Sequence, residues 1–189
     1  MGQYYKVITL NDFKEGEPET VKNYFEPHKY GEGAKLTEFA YFDTGFTKAI
    51  SKHIFDNPQR LVTAGDYADH EEGYDLEVED GRNYSVTLYT LCEKAKHVSI
   101  KHTKTFRARY ILNHDKEVYV DLFSIKEGED GWTTHPLMLL TAEGNGQGGG
   151  DYFGDNEEVV GTWARDLIST SNHLPDGFIE HEVTFSEDT

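Results

Sequence analysis

Two acid–base pairs and one glycine-dense loop hold most of the chemistry available to this chain. Glu38 and Arg60 stand 22 residues apart, and so do Glu143 and Arg165. Two glutamates facing each other across a symmetric core would suit a general acid and a general base. Two glutamates each tied to its arginine would instead be buried ion pairs. Glu143 opens a stretch in which six of eleven residues are glycine: Gly144, Gly146, Gly148, Gly149, Gly150 and Gly154. Glycine gives up more backbone freedom on folding than any other residue, so a domain that concentrates it needs unusual backbone angles or a close approach. Gly144, Gly146 and Gly149 satisfy the spacing of a dinucleotide loop, whereas no Gly-Lys-Ser/Thr follows. Glu143, Asp151, Asp155, Glu157 and Glu158 surround the loop with only Arg165 to offset them. Each uncompensated like charge costs a phosphate about 1 kcal/mol at a few ångströms. Three readings stay open: a structural loop, a binding edge for a cation, a sugar-like ligand or a protein, and, against that charge, a phosphate cradle.

The second concentration of chemistry is 61–72, Leu-Val-Thr-Ala-Gly-Asp-Tyr-Ala-Asp-His-Glu-Glu. Asp66, Asp69 and Glu71 supply oxygen ligands of the kind a divalent cation takes, without the spacing of a calcium-binding loop; a solvated turn is the plainer reading. Gly-Asp-Tyr recurs at 65–67 and 150–152. The candidate ligand-binding set is therefore Glu38, Arg60, Asp66, Tyr67, His135, Glu143, Asn145, Asp151, Tyr152 and Arg165, with no catalytic residue assigned. The nine histidines form no zinc pattern. Cys92, the single cysteine, reads as a small buried hydrophobe, and Trp132 and Trp163 as packing residues.

These groups need a scaffold. Pro136 to Ala142 is a short apolar run that reads as a buried strand feeding the glycine loop. Lys35 to Phe42 also reads as a strand. Asp43 or Thr44 caps a helix with Phe46, Ala49, Ile50, His53 and Ile54 on one face. Asn57-Pro58 ends it, and Arg60 to Ala64 is a further strand. Phe106 to Leu112 and Val118 to Phe123 form a hairpin through a turn at 113–116. Glu157 to Ala164 is a shorter helical segment with acids in its first turn. Gly73 to Arg82 is an acidic, turn-rich connector, and Ser85 to Leu91 and Gly177 to Phe185 read as strands. Leu10-Asn11 matches Leu112-Asn113, and Arg60 matches Arg165, which suggests two divergent copies, 4–70 and 107–170, each ordered hairpin, strand, helix, strand. The expected fold is α+β in a single domain spanning 1–189, a largely antiparallel sheet with about two helices.

Composition narrows the partners. The 189 residues carry a net charge of −17. Residues 127–189 hold 14 acids against one base, Arg165, and so supply −13 of that total. Such a field repels nucleic acid, nucleotide phosphates and anionic membranes and attracts basic proteins and cations; its plainer reading is a solubilising face. No apolar run approaches the ~18 residues of a membrane span, no signal peptide is evident at the start of the sequence, and a lone cysteine suits a reducing compartment. The expected location is cytoplasmic.

Met1-Gly-Gln-Tyr-Tyr-Lys-Val7, Ala64-Gly-Asp-Tyr-Ala-Asp69, Tyr110-Ile-Leu-Asn-His-Asp-Lys-Glu117, His135-Pro-Leu137 with Thr141-Ala-Glu-Gly-Asn-Gly146, and Trp163-Ala-Arg-Asp166 together resemble an uncharacterised family of small bacterial and bacteriophage proteins. The resemblance spans most of the chain and implies no activity or catalytic residue; it implies a bacterial or phage setting. The leading expectation is a non-enzymatic cytoplasmic binding or regulatory protein whose acidic C-terminal face engages a basic protein partner, such as a host-directed inhibitor. The alternatives are a protein that binds or sequesters a small polar ligand or a divalent cation beside the loop 144–150, and a hydrolase built on carboxylates.

Overall fold

Alternation along the first strand organises the sheet. In the computed structural model, which describes residues 2–100, 105–126 and 132–186, β1 (Tyr5–Leu10) sends Tyr5 and Val7 into a large core on one face and Ile8 and Leu10 into a smaller core on the other. β3 (Gln59–Gly65) repeats the pattern, Leu61 to the large core and Val62 and Ala64 to the small one. The remaining strands are β2 (Val21–Phe25), β4 (Glu77–Glu79), β5 (Arg82–Tyr84), β6 (Lys96–His97), β7 (Tyr110–Asn113), β8 (Val118–Asp121), β9 (Ala142–Glu143), β10 (Leu167–Ser171) and β11 (Ile179–Glu180). β4 and β5 form a separate hairpin. The other nine make one mixed, mostly antiparallel sheet, ordered β11-β8-β7-β10-β3-β1-β2-β6 with β9 beside β3.

Among the described residues four α-helical segments accompany the sheet: α1 (Leu36–Phe39), α2 (Gly45–His53), α3 (Leu88–Leu91) and α4 (Pro136–Leu140). α3 runs directly into a 3-10 turn, Cys92–Lys94, so two helical runs, α2 and 88–94, reach about two turns or more. The fold is α+β, as the sequence pattern predicts. α2 has the predicted start: Thr47 N–H donates to the Thr44 hydroxyl at 3.4 Å, the N-cap bond that satisfies an otherwise orphaned amide. Phe46, Ile50 and Ile54 then enter the large core with Leu137 to Leu140 of α4 and Trp163.

The sheet reads alike outward from the antiparallel β3–β10 pair: β1, β2 and β6 on one side, β7, β8 and β11 on the other, with matching directions. The halves also cross over. Phe55, just after α2, bridges Thr170 of β10 in parallel, and β9, just after α4, pairs with β3 in parallel. Register sets Leu10 opposite Arg60 and Leu112 opposite Ser169. If Leu10 and Leu112 are taken as counterparts, Arg60 corresponds to Ser169, four residues beyond Arg165.

Several local expectations need correction. Pro136 to Leu140 is a helix, with His135 as its N-cap and Pro136 in its first turn. Proline suits that position because its missing N–H would be unsatisfied there anyway. Leu36 to Phe39 is a helical turn, closed by Lys35 N–H donating to Glu38 Oε2 at 3.0 Å; only Tyr41 in that stretch makes a β-bridge, to Thr134. Thr87 and Thr90 cap each other, so 85–91 ends in α3 rather than a strand. Helical order at 157–164 is confined to a 3-10 turn, Glu157–Val159. The connector 73–82 contains β4 and the first residue of β5, and the last strand is cut to Ile179–Glu180.

Candidate functional site

Parallel pairing of β9 with β3 sets Thr63 beside Ala142 and Ala64 beside Glu143, so the loops at 65–72 and 144–151 leave the sheet at the same end. Thr63 N–H donates to Thr141 O at 2.8 Å, and the two threonine hydroxyls lie 2.9 Å apart. The chain start closes over this end: Gln3 N–H donates to Gly149 O at 2.7 Å. Buried Gln3, in the amide orientation that satisfies its neighbours, donates to Asp151 Oδ1 at 2.9 Å and Gly144 O at 2.7 Å. Gly144 has φ +100 and meets the Gln3 side chain where a Cβ would stand, which is the close approach the glycine run predicts.

The loop holds itself. Asn145 accepts from Tyr152 N–H at 2.8 Å and donates to Tyr152 O at 3.2 Å. Asp151, buried, accepts from the Tyr5 hydroxyl at 2.6 Å and Gly148 N–H at 2.7 Å. Burial, followed by this bond to Asp151, holds the Tyr5 phenol far above its ordinary range. Tyr152 is buried and donates to the backbone oxygens of Asp155 and Ser186. Asp66 Oδ1 accepts from Tyr4 N–H at 3.0 Å, and the Tyr67 ring lies against the Gly148 backbone.

Beside this loop Arg165 sits in a left-handed backbone conformation, φ +68, with its N–H donating to Leu61 O at 2.8 Å. Its Nε donates to Glu143 Oε1 at 2.5 Å, Nη1 to Glu19 at 2.6 Å and Glu71 at 3.0 Å, and Nη2 to Glu71 at 2.6 Å and Glu143 at 2.9 Å. Burial works against this cation, but its bonds to Glu143 and Glu71 and their charges outweigh it and hold the guanidinium above its ordinary range. All five guanidinium donors are spent. Above lies a cleft of about 530 Å³ whose lining includes Glu17, Glu19, Asp69, Glu71, Glu72 and Glu143 with Arg165. His70, also in the lining, is engaged by the backbone: its Nδ1 accepts from Val86 N–H at 2.9 Å and its Nε2 lies 2.9 Å from Tyr74 O.

The Glu143–Arg165 pair is thus present, whereas Glu38 and Arg60 are apart. Glu38 faces Lys35 at 3.8 Å, and Arg60 donates to Asp115 at 3.0 Å. Glu38, Arg60 and Asn145 do not line the cleft with Glu143 and Arg165. Of the proposed metal ligands, Asp66 caps a backbone amide, Glu71 grips Arg165 and Asp69 lines the cleft. Among the described residues no group of three or more His, Cys, Asp or Glu is arranged to hold a metal ion. Cys92 is buried, and burial pushes its thiol up to about 12. Among the described residues no helix is long and apolar enough to cross a membrane.

His135 belongs to a different cavity, of about 580 Å³, walled by α2 and by the segments just before β7 and just after β8. Its Nδ1 accepts from Leu137 N–H at 3.3 Å and its ring lies 4.6 Å from that of Phe42. Burial, aided by the nearby Arg107 cation, lowers its pKa to about 3. Phe42, Phe106 and Trp132 give this cavity aromatic walls, and Ser51 and Arg107 also line it. The sequence reading missed Glu19, Ser51 and Arg107. Thr44, Thr47 and Ser51 fall at helical spacing beside the apolar face of α2, a polar stripe that would have pointed to the second cavity. Nothing local marks Glu19, which reaches Arg165 from 146 positions away.

Comparison with protein-family models, with curated proteins and with solved structures finds no match to this chain.

Proposed function

We propose that the protein is a non-catalytic binding protein that receives the cationic groups of a basic protein partner in the cleft above Arg165. The observation that carries this reading is the saturation of the guanidinium. With its five donors spent on three glutamates, Arg165 offers nothing to an anion, and the lining keeps six carboxylates against one cation. Asp69 and Glu72 have no ion pair among the described residues, and Glu17 pairs only with exposed Lys14 at 3.5 Å. An incoming lysine or arginine side chain meets carboxylates, while nucleic-acid phosphate meets like charge. Exposed Glu157, Glu158, Asp176, Glu180 and Glu182 extend the same sign over the surface and favour a protein-sized partner. The hydrolase alternative draws no support from Glu38 and Glu143, which are engaged by different partners.

The test is calorimetric titration with a Lys/Arg-rich decapeptide, with spermidine and with an acidic decapeptide, over a salt series. The basic peptide binds and weakens steeply with salt, the acidic peptide does not bind, and Asp69→Asn with Glu72→Gln weakens the basic peptide about tenfold, about 1.4 kcal/mol. Tighter binding of spermidine than of the peptide would assign the cleft to a small polyamine. Absence of binding by either cation would end the reading.

A further inference from the structure

The cavity beside α2, walled also by the segments just before β7 and just after β8, holds a buried hydroxyl that no described residue partners, whereas every guanidinium donor at the acid cleft is engaged. Ser51 is only 4 % exposed, and its hydroxyl has no hydrogen-bond partner among the described residues. Its backbone is not at fault, because Ser51 O accepts from the Thr170 hydroxyl at 2.6 Å. Nearly all buried side-chain polar atoms are paired in folded proteins, so an orphan in a cavity wall calls for an explanation. A ligand atom is one.

The other lining groups define that ligand. Phe42, Phe106 and Trp132 line it, and aromatic walls suit a flat apolar body. The Arg107 guanidinium stands 5.5 Å over the Phe42 ring and 5.1 Å over that of Phe123, and it makes no ion pair among the described residues. A guanidinium lying on aromatic faces keeps its planar fork for a carboxylate. The acids at the rim are already engaged: Glu32 accepts from Gly45 N–H at 3.0 Å, and Asp43 pairs with Lys48 at 2.9 Å. His135, with Nδ1 accepting a backbone proton, carries its own proton on Nε2. We propose that this cavity is a binding site for a small planar aromatic carboxylate, its ring between Phe42 and Trp132, its carboxylate on Arg107, and a ligand oxygen completing the Ser51 hydroxyl. A volume of about 580 Å³ fits such a molecule. With His135 held neutral by burial and by Arg107, the carboxylate is met by the Arg107 guanidinium. This site is independent of the acid cleft and of its partner.

The test uses the full chain and three probes, phenylacetate, 2-naphthoate and indole-3-acetate, with 2-naphthalenemethanol and 2-naphthylmethylamine as neutral and cationic controls. Binding is read by calorimetry and thermal shift. At least one carboxylate binds saturably, about tenfold tighter than the alcohol. Arg107→Met removes that preference and leaves alcohol binding unchanged. Ser51→Ala weakens the carboxylate while the melting temperature of the free protein stays the same or rises, an outcome that a merely structural hydroxyl would not give. No saturable binding by any of the three carboxylates, an amine that binds as tightly as they do, or an Arg107→Met variant with undiminished preference would overturn the proposal.

Discussion

The two cavities are nearly equal in size, about 530 and 580 Å³, and opposite in what they have left to offer. Around Arg165 the charges are many and the donors are exhausted; three glutamates use every guanidinium N–H. Around Ser51 and Arg107 the formal charges balance, with Glu32 and Asp43 against Lys48 and Arg107, yet a buried hydroxyl and a guanidinium remain unfilled. Counting charges alone would make Arg165 the anion site. Counting spent donors reverses that, because a cation that already holds its anions acts as a rivet and one resting on aromatic rings acts as a receptor.

The largest effect that separates the two arginines is on stability. Arg165→Met strands Glu71, which is almost fully buried, together with Glu143 and Glu19. Breaking a buried ion pair from one side costs about 3–5 kcal/mol, so urea denaturation should show a loss of that order, whereas Arg107→Met should change stability little. Equal losses would erase the distinction. Next comes pH. His135 has its pKa lowered in the folded protein to about 3 from 6.5; the unfolded chain therefore binds more protons between these values, and stability is full above pH 6.5 and falls as pH drops toward 3. Between pH 7 and 5 the contribution of His135 is about 2 kcal/mol. His135→Asn keeps a side-chain acceptor for Leu137 N–H and should flatten the stability–pH curve by that amount; an unchanged curve would show that His135 charges freely. A smaller loss, about 1 kcal/mol or more, is expected on the cleft side for Gly144→Ala, which forces a Cβ into left-handed backbone against Gln3. A neutral result in thermal melts would mean that the loop yields and that its shape is not fixed by Gln3.

The legible parts of this fold are those whose cause is local. The α2 cap at Thr44, the β7–β8 hairpin and the strand at Arg60 to Ala64 follow from capping, turn chemistry and β-branched content within a few residues. Pro136 to Ala142 failed because a short run buried on all sides has no period to read, so only His135-Pro136 could have signalled a helix start. Lys35 to Phe42 and Ser85 to Leu91 failed similarly, each turned by side-chain caps, Glu38 on Lys35 and Thr87 with Thr90. In the cleft, the Glu143–Arg165 pair was legible at a separation of 22, but Glu71 and Glu19 arrive from 94 and 146 residues away. The Glu38–Arg60 pairing was inferred from that matched spacing, and the sheet gives the two residues different partners. Spacing carries no information about which loops a sheet brings to one end.

The exchange of bridges across the centre of the sheet has a consequence for how the chain comes together. The segment after α2 is stitched to β10, and the segment after α4 is stitched to β3, so each half finishes its own edge only by borrowing from the other. Two polypeptides, one ending near residue 100 and one beginning near 105, are then expected to be unstructured alone and to assemble on mixing into a nicked but native heterodimer. The same interlacing predicts that molecules refolded at high concentration trade halves, giving intertwined dimers whose individual lobes are indistinguishable from the monomer.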